Sequence, residues 1–367
     1  MIAAGGSGGH IFPAVATALE LEEAGVDDIC FVSSKRGLDK RIMKEIRYRA
    51  FFLSVNPMPF GSNVFKWIVF FVKIMSDACC SLYLLIRMRP SVVVGFGGYS
   101  AGTVVRCAAL LGIPVIIHEQ NVYPGRANRL LGRVSDRIAI SFPETTKYFE
   151  GVGGKVVLTG NPIRLGMLAK DRSAALRFLG LHSDRKTILI IGGSQGATFL
   201  NKVASQAADN VSHGEVPVQF VHLTGQADHD IIERFYKKKG IHAKVYAFID
   251  RIDTVYAACD MAISRSGAAA IFELAYYARP MILVPYPNPR NSQRTNAESF
   301  AQKGAAVCIE ESVLSSDMLA DAVTEILTDS EKFRRMSEAA TCVARPDAGR
   351  KLAKNIIDIG AACNRKQ

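Results

Sequence analysis

The chain has 367 residues, too many for one ordinary hydrophobic core and about right for two domains of roughly 150 to 200 residues each. Hydrophobic residues make up 49% and charged residues 22%, which suits buried parallel sheets in both halves and excludes a largely disordered chain. Lys and Arg total 45 against 34 Asp and Glu, a formal +11, which favours phosphate-bearing ligands, nucleic acid or an anionic membrane surface without choosing among them.

In chain order, Met1 runs at once into a glycine loop that belongs to the fold, so no signal peptide is expected and the first strand is short. Further strands of the first half are expected at Ile29–Ser33, Val92–Gly95, Val115–His118 and Arg137–Ser141. Those of the second half are expected at Thr187–Ile191, Val218–Leu223, Lys244–Ala247, Met261–Ser264, Met281–Val284 and Ala306–Ile309. Helical patterns lie between most of them, and this alternation is the mark of α/β domains with doubly wound parallel sheets. The stretch Leu158–Arg164 breaks the rhythm, because its Gly-Asn-Pro forces a turn after a strand. That places one Rossmann-like domain at 1–162 and a second at 163–343, facing each other across a cleft. Helical patterns follow Ser315, Ser330 and Pro346, and the last, within 344–367, is expected to pack back on the first domain. The eight cysteines lack paired C-x-x-C spacing and read as reduced, buried thiols of a cytosolic protein.

The segment Val64–Met88 is the most apolar, but Lys66, Lys73, Asp77 and Arg87 interrupt it, so it is not expected to span a membrane. On a helical wheel Phe65, Ile68, Val72, Met75, Cys79, Leu82 and Ile86 form a stripe suited to a core. Phe70 and Ile74 fall opposite, beside Lys66 and Lys73. This second apolar face, flanked by lysines, either dips into an anionic headgroup layer or packs under a neighbouring loop.

Three glycine-rich loops each follow a strand and precede a helix: Gly5-Gly-Ser-Gly-Gly-His10, Gly95-Phe-Gly-Gly-Tyr-Ser-Ala-Gly102 and Gly192-Gly-Ser-Gln-Gly-Ala197. Glycine allows close approach of backbone to ligand, and free N–H groups at the next helix start attract anions. None ends in Gly-Lys-Ser or Gly-Lys-Thr, and the first lacks the dinucleotide Gly-x-Gly-x-x-Gly order, so a mononucleotide or nucleotide sugar fits better than NAD. Ser264-Arg-Ser-Gly-Ala-Ala-Ala-Ile-Phe-Glu273 runs from a strand end through a glycine turn into a helix, where a carboxylate suits ribose hydroxyls. The loop from Pro285 to Asn296, rich in amide and guanidinium groups, suits sugar hydroxyls and diphosphates. The Asp-x-Asp match, Asp228-His-Asp230, reads as a helix cap in preference to a metal pair.

The pattern resembles the MurG family, bacterial transferases that add N-acetylglucosamine to the lipid-linked muramyl-pentapeptide precursor of peptidoglycan. The resemblance covers nearly the whole chain. It rests on Gly5-Gly-Ser-Gly-Gly-His-Ile-Phe-Pro13, Gly97-Gly-Tyr-Ser-Ala101, His118-Glu-Gln-Asn-Val-Tyr-Pro-Gly125, Gly160-Asn-Pro-Ile-Arg164, Gly192-Gly-Ser-Gln-Gly-Ala197 and Ser264-Arg-Ser-Gly267. It implies a GT-B fold, inverting transfer from UDP-N-acetylglucosamine, no required cofactor, and peripheral attachment to the cytoplasmic face of the inner membrane. The resemblance puts Ser194 and Arg164 near the diphosphate and has the Ile249 backbone hold uracil. It places Ala268, Ala269, Ala270, Ile271, Phe272 and Glu273 at the donor, with Glu273 on the ribose and Gln293 at the sugar. Ser7, Gly8, Gly9 and Asn121 would face the sugar and the acceptor. Ser7 stands where the family usually has Thr, Ala270 where Thr is usual, and Ser292 where Gln or His is common, which points to reduced donor affinity. Transfer needs a base and an anion clamp. His10 is the expected base and Glu119 its rival, whereas His118 reads as structural. The competing readings are a non-hydrolysing UDP-N-acetylglucosamine epimerase and a basic nucleic-acid-binding protein, the latter lacking any basic-aromatic groove motif.

Overall fold

A computed structural model describes residues 1–54, 64–152, 155–164, 171–192, 197–287 and 293–364. The chain divides into two compact units, Met1–Arg164 with Pro346–Gln367, and Leu165–Arg345. The first break thus falls after Arg164, where the sequence placed it after residue 162.

In unit 1 the strands are β1 (Ile2–Ala3), β2 (Cys30–Ser34), β3 (Arg49–Leu53), β4 (Val93–Gly95), β5 (Val115–Glu119), β6 (Arg137–Ile140) and β7 (Val156–Leu158). They form one all-parallel sheet in the order β3-β2-β1-β4-β5-β6-β7. The runs Cys30–Ser34 and Val115–Glu119 are buried throughout, as expected for strands covered by helices on both faces. The covering helices are α1 (Gly8–Glu23), α2 (Gly37–Glu45), α3 (Val64–Met88), α4 (Tyr99–Leu110), α5 (Arg126–Leu131) and the last helix, α14 (Ala348–Asn364). Leu352, Ala353 and Ile356 of α14 join the core under α1, and Arg137 donates to Asn355 Oδ1 at 2.6 Å. Strand β3 is absent from the expected set. Its Arg-Ala-Phe-Phe-Leu run follows charged helical sequence, and its edge position leaves only Leu53 fully buried.

Helix α3 corrects the wheel. Its fully buried residues are Asp77, Ser81 and Leu85, and most of the stripe assigned to the core faces outward, with Phe65, Ile68, Val72, Met75, Cys79 and Ile86 exposed and only Leu82 packed against the core. Phe70, Lys73 and Ile74, assigned with Lys66 to a membrane face, are half-buried, and only Lys66 of the four is exposed. A helix apolar nearly all round offers no periodicity to choose a face. A polar contact chooses it: Asp77 Oδ1 accepts the Ser54 N–H at 2.9 Å, tying α3 to the end of β3. Among the described residues α3 is the single helix long and apolar enough to cross a membrane, yet its Asp77 side is committed to unit 1. The cysteines also depart from expectation: Cys79, Cys80 and Cys342 are exposed, whereas Cys30, Cys107 and Cys259 are buried.

Unit 2 repeats the plan. Its strands are β8 (Lys186–Ile191), β9 (Val218–Leu223), β10 (Ala243–Tyr246), β11 (Met261–Ser264), β12 (Met281–Leu283) and β13 (Ala306–Cys308), again all parallel, in the order β10-β9-β8-β11-β12-β13. The helices are α6 (Arg172–Leu179), α7 (Thr198–Ser212), α8 (His229–Lys239), α9 (Ile252–Ala258), α10 (Ala268–Tyr276), α11 (Gln293–Gln302), α12 (Ser316–Thr328) and α13 (Ser330–Val343). Ser315 caps α12 through its side chain, which fixes that start where the sequence put it, and Asp329 caps α13, which starts at Ser330, one residue earlier than expected.

Candidate active site

Each sheet reverses its winding direction once, between β1 and β4 in unit 1 and between β8 and β11 in unit 2. Loops leaving the carboxyl ends of such strands diverge and leave a crevice, the usual ligand position in open α/β sheets. The first two glycine-rich loops and the Ser264–Gly267 turn lie at these two points, while the third follows β8 in sequence and its residues 193–196 lie outside the described ones.

In unit 1 the loops after β1 and β4 touch. Gly98 has φ +86°, and a Cβ there would stand 2.3 Å from the Gly5 carbonyl oxygen, so neither backbone nor space admits a side chain. Gly97 gives room to an imidazole: a Cβ there would lie 3.0 Å from both His10 Cδ2 and His10 Nε2. His10 Nδ1 sits 3.1 Å from the Gly5 carbonyl and 3.2 Å from Ser7 Oγ. A carbonyl only accepts, so the network assigns the proton to Nδ1 and leaves Nε2 with its lone pair. Burial lowers the His10 pKa from its ordinary value, opposed by the Gly5 hydrogen bond and by the charges of Glu119 and Asp39. At neutral pH the ring is therefore uncharged and able to take a proton. Gly8 lies against Phe12, and the Arg164 guanidinium stacks over the Phe12 ring at 4.6 Å.

Glu119 is buried and both its oxygens are engaged. Oε1 accepts from the Asn121 N–H at 2.9 Å and from Asn121 Nδ2 at 3.2 Å; Oε2 accepts from the Gly125 N–H at 3.0 Å and from Asn128 Nδ2 at 2.8 Å. It is the clasp of the loop after β5. His118 Nε2 donates to the Gly160 carbonyl at 3.0 Å and its Nδ1 accepts from Gln120 Nε2 at 3.1 Å. Burial pushes its pKa down to about 4, so it is a neutral internal brace.

In unit 2, Ser194 lies outside the described residues. The start of α7, just beyond it, is held by a polar chain that sequence reasoning missed. Asn201 Nδ2 donates to Asp228 Oδ2 and to the Thr224 carbonyl, each at 2.8 Å, and Thr198 Oγ1 donates to Asp228 Oδ1 at 3.2 Å. His222 Nε2 donates to Asn201 Oδ1 at 3.2 Å while Tyr236 O–H donates to His222 Nδ1 at 2.9 Å. Asp228 stands at the N-cap of α8 but makes no side-chain cap bond, which corrects the reading of Asp228-His-Asp230; its carboxylate serves α7 instead. Asp230 pairs with His229 at 2.8 Å.

The Ser264–Gly267 turn and the loop before α11 are knit together. Ser266 Oγ donates to the Gln293 carbonyl at 2.8 Å, Asn296 Nδ2 donates to the Ser266 carbonyl at 3.1 Å, and the Tyr286 N–H donates to Gln293 Oε1 at 3.0 Å. Buried Arg265 donates to the Val284 and Pro285 carbonyls, pairs with Glu311 and lies under Tyr286. Helix α10 follows the N-cap Gly267, which offers no side-chain cap, so the first-turn N–H groups of Ala268, Ala269 and Ala270 have no intrahelical partners. Ile271 and Phe272 are buried in the core, and Glu273 is half-buried one turn further on. Ile249 is half-buried in the turn after β10, on the opposite flank of the switch point. Ser292 falls outside the described residues. Among the described residues no cluster of three His, Cys, Asp or Glu side chains is placed to hold a metal ion.

Two Rossmann-like parallel-sheet units with glycine loops at both switch points define a GT-B-type α/β glycosyltransferase fold. Residues 1–140 match the glycosyltransferase family 28 N-terminal domain and residues 187–354 the family 28 C-terminal domain. The chain is 36% identical over 362 residues to the UDP-N-acetylglucosamine--N-acetylmuramyl-(pentapeptide) pyrophosphoryl-undecaprenol N-acetylglucosamine transferase of Halothermothrix orenii, covering 96% of this chain and 97% of that one. The enzyme of the same name from Geobacter sulfurreducens is 33% identical and is covered to 99%, by 100% of this chain. Among solved structures, Acinetobacter baumannii MurG superposes with a TM-score of 0.74 at 27% identity, with 98% of each chain covered. A UDP-N-acetylglucosamine 2-epimerase from Neisseria meningitidis, at 14% identity and a TM-score of 0.69 over 97% of this chain and 99% of that one, shares the fold alone. The chain belongs to the MurG family of glycosyltransferases.

Proposed function

We propose that this chain transfers N-acetylglucosamine from UDP-N-acetylglucosamine to an undecaprenyl-linked muramyl-pentapeptide, with inversion at the anomeric carbon. The observation that carries the reading is His10, held at a switch point with Nδ1 bonded to a backbone carbonyl and Nε2 unprotonated, in a chain with full-length relatives of that activity. The acceptor hydroxyl gives its proton to His10 Nε2 as its oxygen bonds to the anomeric carbon. The bond from that carbon to the diphosphate oxygen breaks, and its electron pair leaves with UDP. Glu119 is the weaker base because proton capture would cost it hydrogen bonds from two backbone N–H groups and two amides. Ser194, Arg164 and the α10 first-turn N–H groups would receive the charge that develops on UDP. Glu273 would take the ribose, the Ile249 backbone the uracil, and Gln293 the sugar, while Ser7, Gly8, Gly9 and Asn121 would meet the sugar and acceptor. The scheme routes no step through a metal or cofactor and assigns no role to nucleic acid.

A lipid-linked acceptor requires the enzyme at a bilayer surface. The outward face of α3, with Phe65, Ile68, Val72 and Met75 exposed beside Lys66, supports peripheral attachment to the anionic cytoplasmic leaflet. The deciding assay follows UDP release with and without the lipid-linked acceptor. Acceptor-dependent release supports the transferase, and conversion of UDP-N-acetylglucosamine to its epimer without acceptor replaces it with the epimerase reading.

A further inference from the structure

Asp39, in the first turn of α2, is fully buried, and its Oδ2 accepts from the Gly6 N–H at 2.8 Å and from Ser34 Oγ. A Cβ on Gly5 would stand 2.9 Å from that oxygen and 2.9 Å from Ser100 Oγ, so the carboxylate is wedged where the first glycine loop meets the start of α4. Across the same residue, Arg36 donates to the Gly6 carbonyl at 3.1 Å. Gly6 is thus gripped through its N–H and its C=O at once, and the Gly5 carbonyl that orients His10 belongs to the same peptide group as the N–H held by Asp39.

A buried carboxylate is a costly way to accept from one N–H and the Ser34 and Ser33 hydroxyls, all at a single oxygen, since a neutral amide oxygen would serve. Asp39 Oδ1, moreover, is buried without a hydrogen-bond partner among the described residues. The charge itself therefore calls for a reason, and the imidazole that gains a proton during transfer supplies one. We infer that Asp39 is a positioning residue for the transfer: it fixes the Gly5–Gly6 backbone from which His10 is hung, and its charge stabilises the imidazolium formed when His10 takes the acceptor proton. The inference rests on His10 as the base. The groups that act on the ring are Asp39 from α2 and Glu119 from β5, both favouring the protonated form, with neutral His118 of β5 close by and Arg36 on the far side of Gly6.

The test uses the full chain with UDP-N-acetylglucosamine and lipid-linked acceptor, recording kcat, KM for the donor and UDP affinity from about pH 5.5 to 9. Asp39→Asn keeps an acceptor for the Gly6 N–H and removes the charge. The expected result is a kcat lowered roughly tenfold, donor KM and UDP affinity within about twofold of wild type, and an acid limb of kcat moved down by about half a pH unit. Arg36→Met, at an exposed side chain, loosens the next peptide of the same loop, Gly6–Ser7, without removing a negative charge. It is expected to lower kcat a few-fold and leave the limb in place or move it slightly upward. Unchanged kcat in Asp39→Asn overturns the inference, and so does a lowered kcat with an unmoved limb. Should Asp39→Asn fail to fold, unchanged kcat in Arg36→Met overturns the backbone half. His10→Ala separates the two levels: wild-type turnover there removes the base itself, whereas a collapse there with an indifferent Asp39→Asn removes only the role of Asp39.

Discussion

The outward face of α3 gives the sharpest quantitative expectation. Phe65, Ile68, Val72 and Met75 are 73%, 54%, 63% and 62% exposed, and full burial of such a side chain is worth about 1.5–3 kcal/mol, so each contributes about 1–2 kcal/mol on entering an apolar layer. Replacing Phe65 and Val72 together by Asp removes about 2–4 kcal/mol and sets two carboxylates against an anionic surface, weakening attachment by about 30- to 1,000-fold. Flotation with liposomes of stated anionic lipid content measures this, with UDP affinity as a control for folding. Phe70→Asp with Ile74→Asp, on the half-buried flank, is expected to lower the melting temperature instead. Undiminished flotation of the Phe65→Asp, Val72→Asp variant refutes the argument, and release only by the Phe70 and Ile74 pair restores the face that the wheel had chosen.

Gly98→Ala forces a side chain into a contact 2.3 Å from the Gly5 carbonyl, so turnover is expected to fall at least tenfold while UDP binding, proposed above for unit 2, persists; equal loss of both counts against it. Glu119→Ala strips four donors of their acceptor and is expected to lower unit 1 stability by about 2–4 kcal/mol, read from denaturant unfolding; an unchanged midpoint with lost turnover would return Glu119 to the chemistry. Glu273→Ala is expected to raise the donor KM about tenfold with little change in kcat, and calorimetry with UDP checks it. His118 and His222 have folded pKa values pushed by burial to about 4 and about 3, below the ordinary 6.5 of histidine. Their neutral forms therefore support the fold fully above about pH 6.5, and the support drains as the pH falls towards 4 and the unfolded chain takes up protons first. A melting temperature that holds level from pH 7 to about pH 4.5 contradicts this.

The sequence alone carried the alternation of strands and helices, the three glycine loops, the turn at Gly160-Asn-Pro and the position of His10. Each is written locally, in β-branched runs, in residues that permit positive φ, and in short-range spacing. Edge strand β3 escaped because half-covered strands need little apolar alternation, and Asp228 was misread because a cap and a long-range clasp call for the same residue type. The tertiary structure decided which side of α3 turns inward, since Asp77 meets Ser54 only after the sheet has formed. It also decided that Glu119 spends its oxygens on a loop and that Asp39, far from His10 in sequence, stands behind the loop that aims it. Such roles depend on which groups meet across long separations, and burial and hydrogen bonding settle that only when the sheets close.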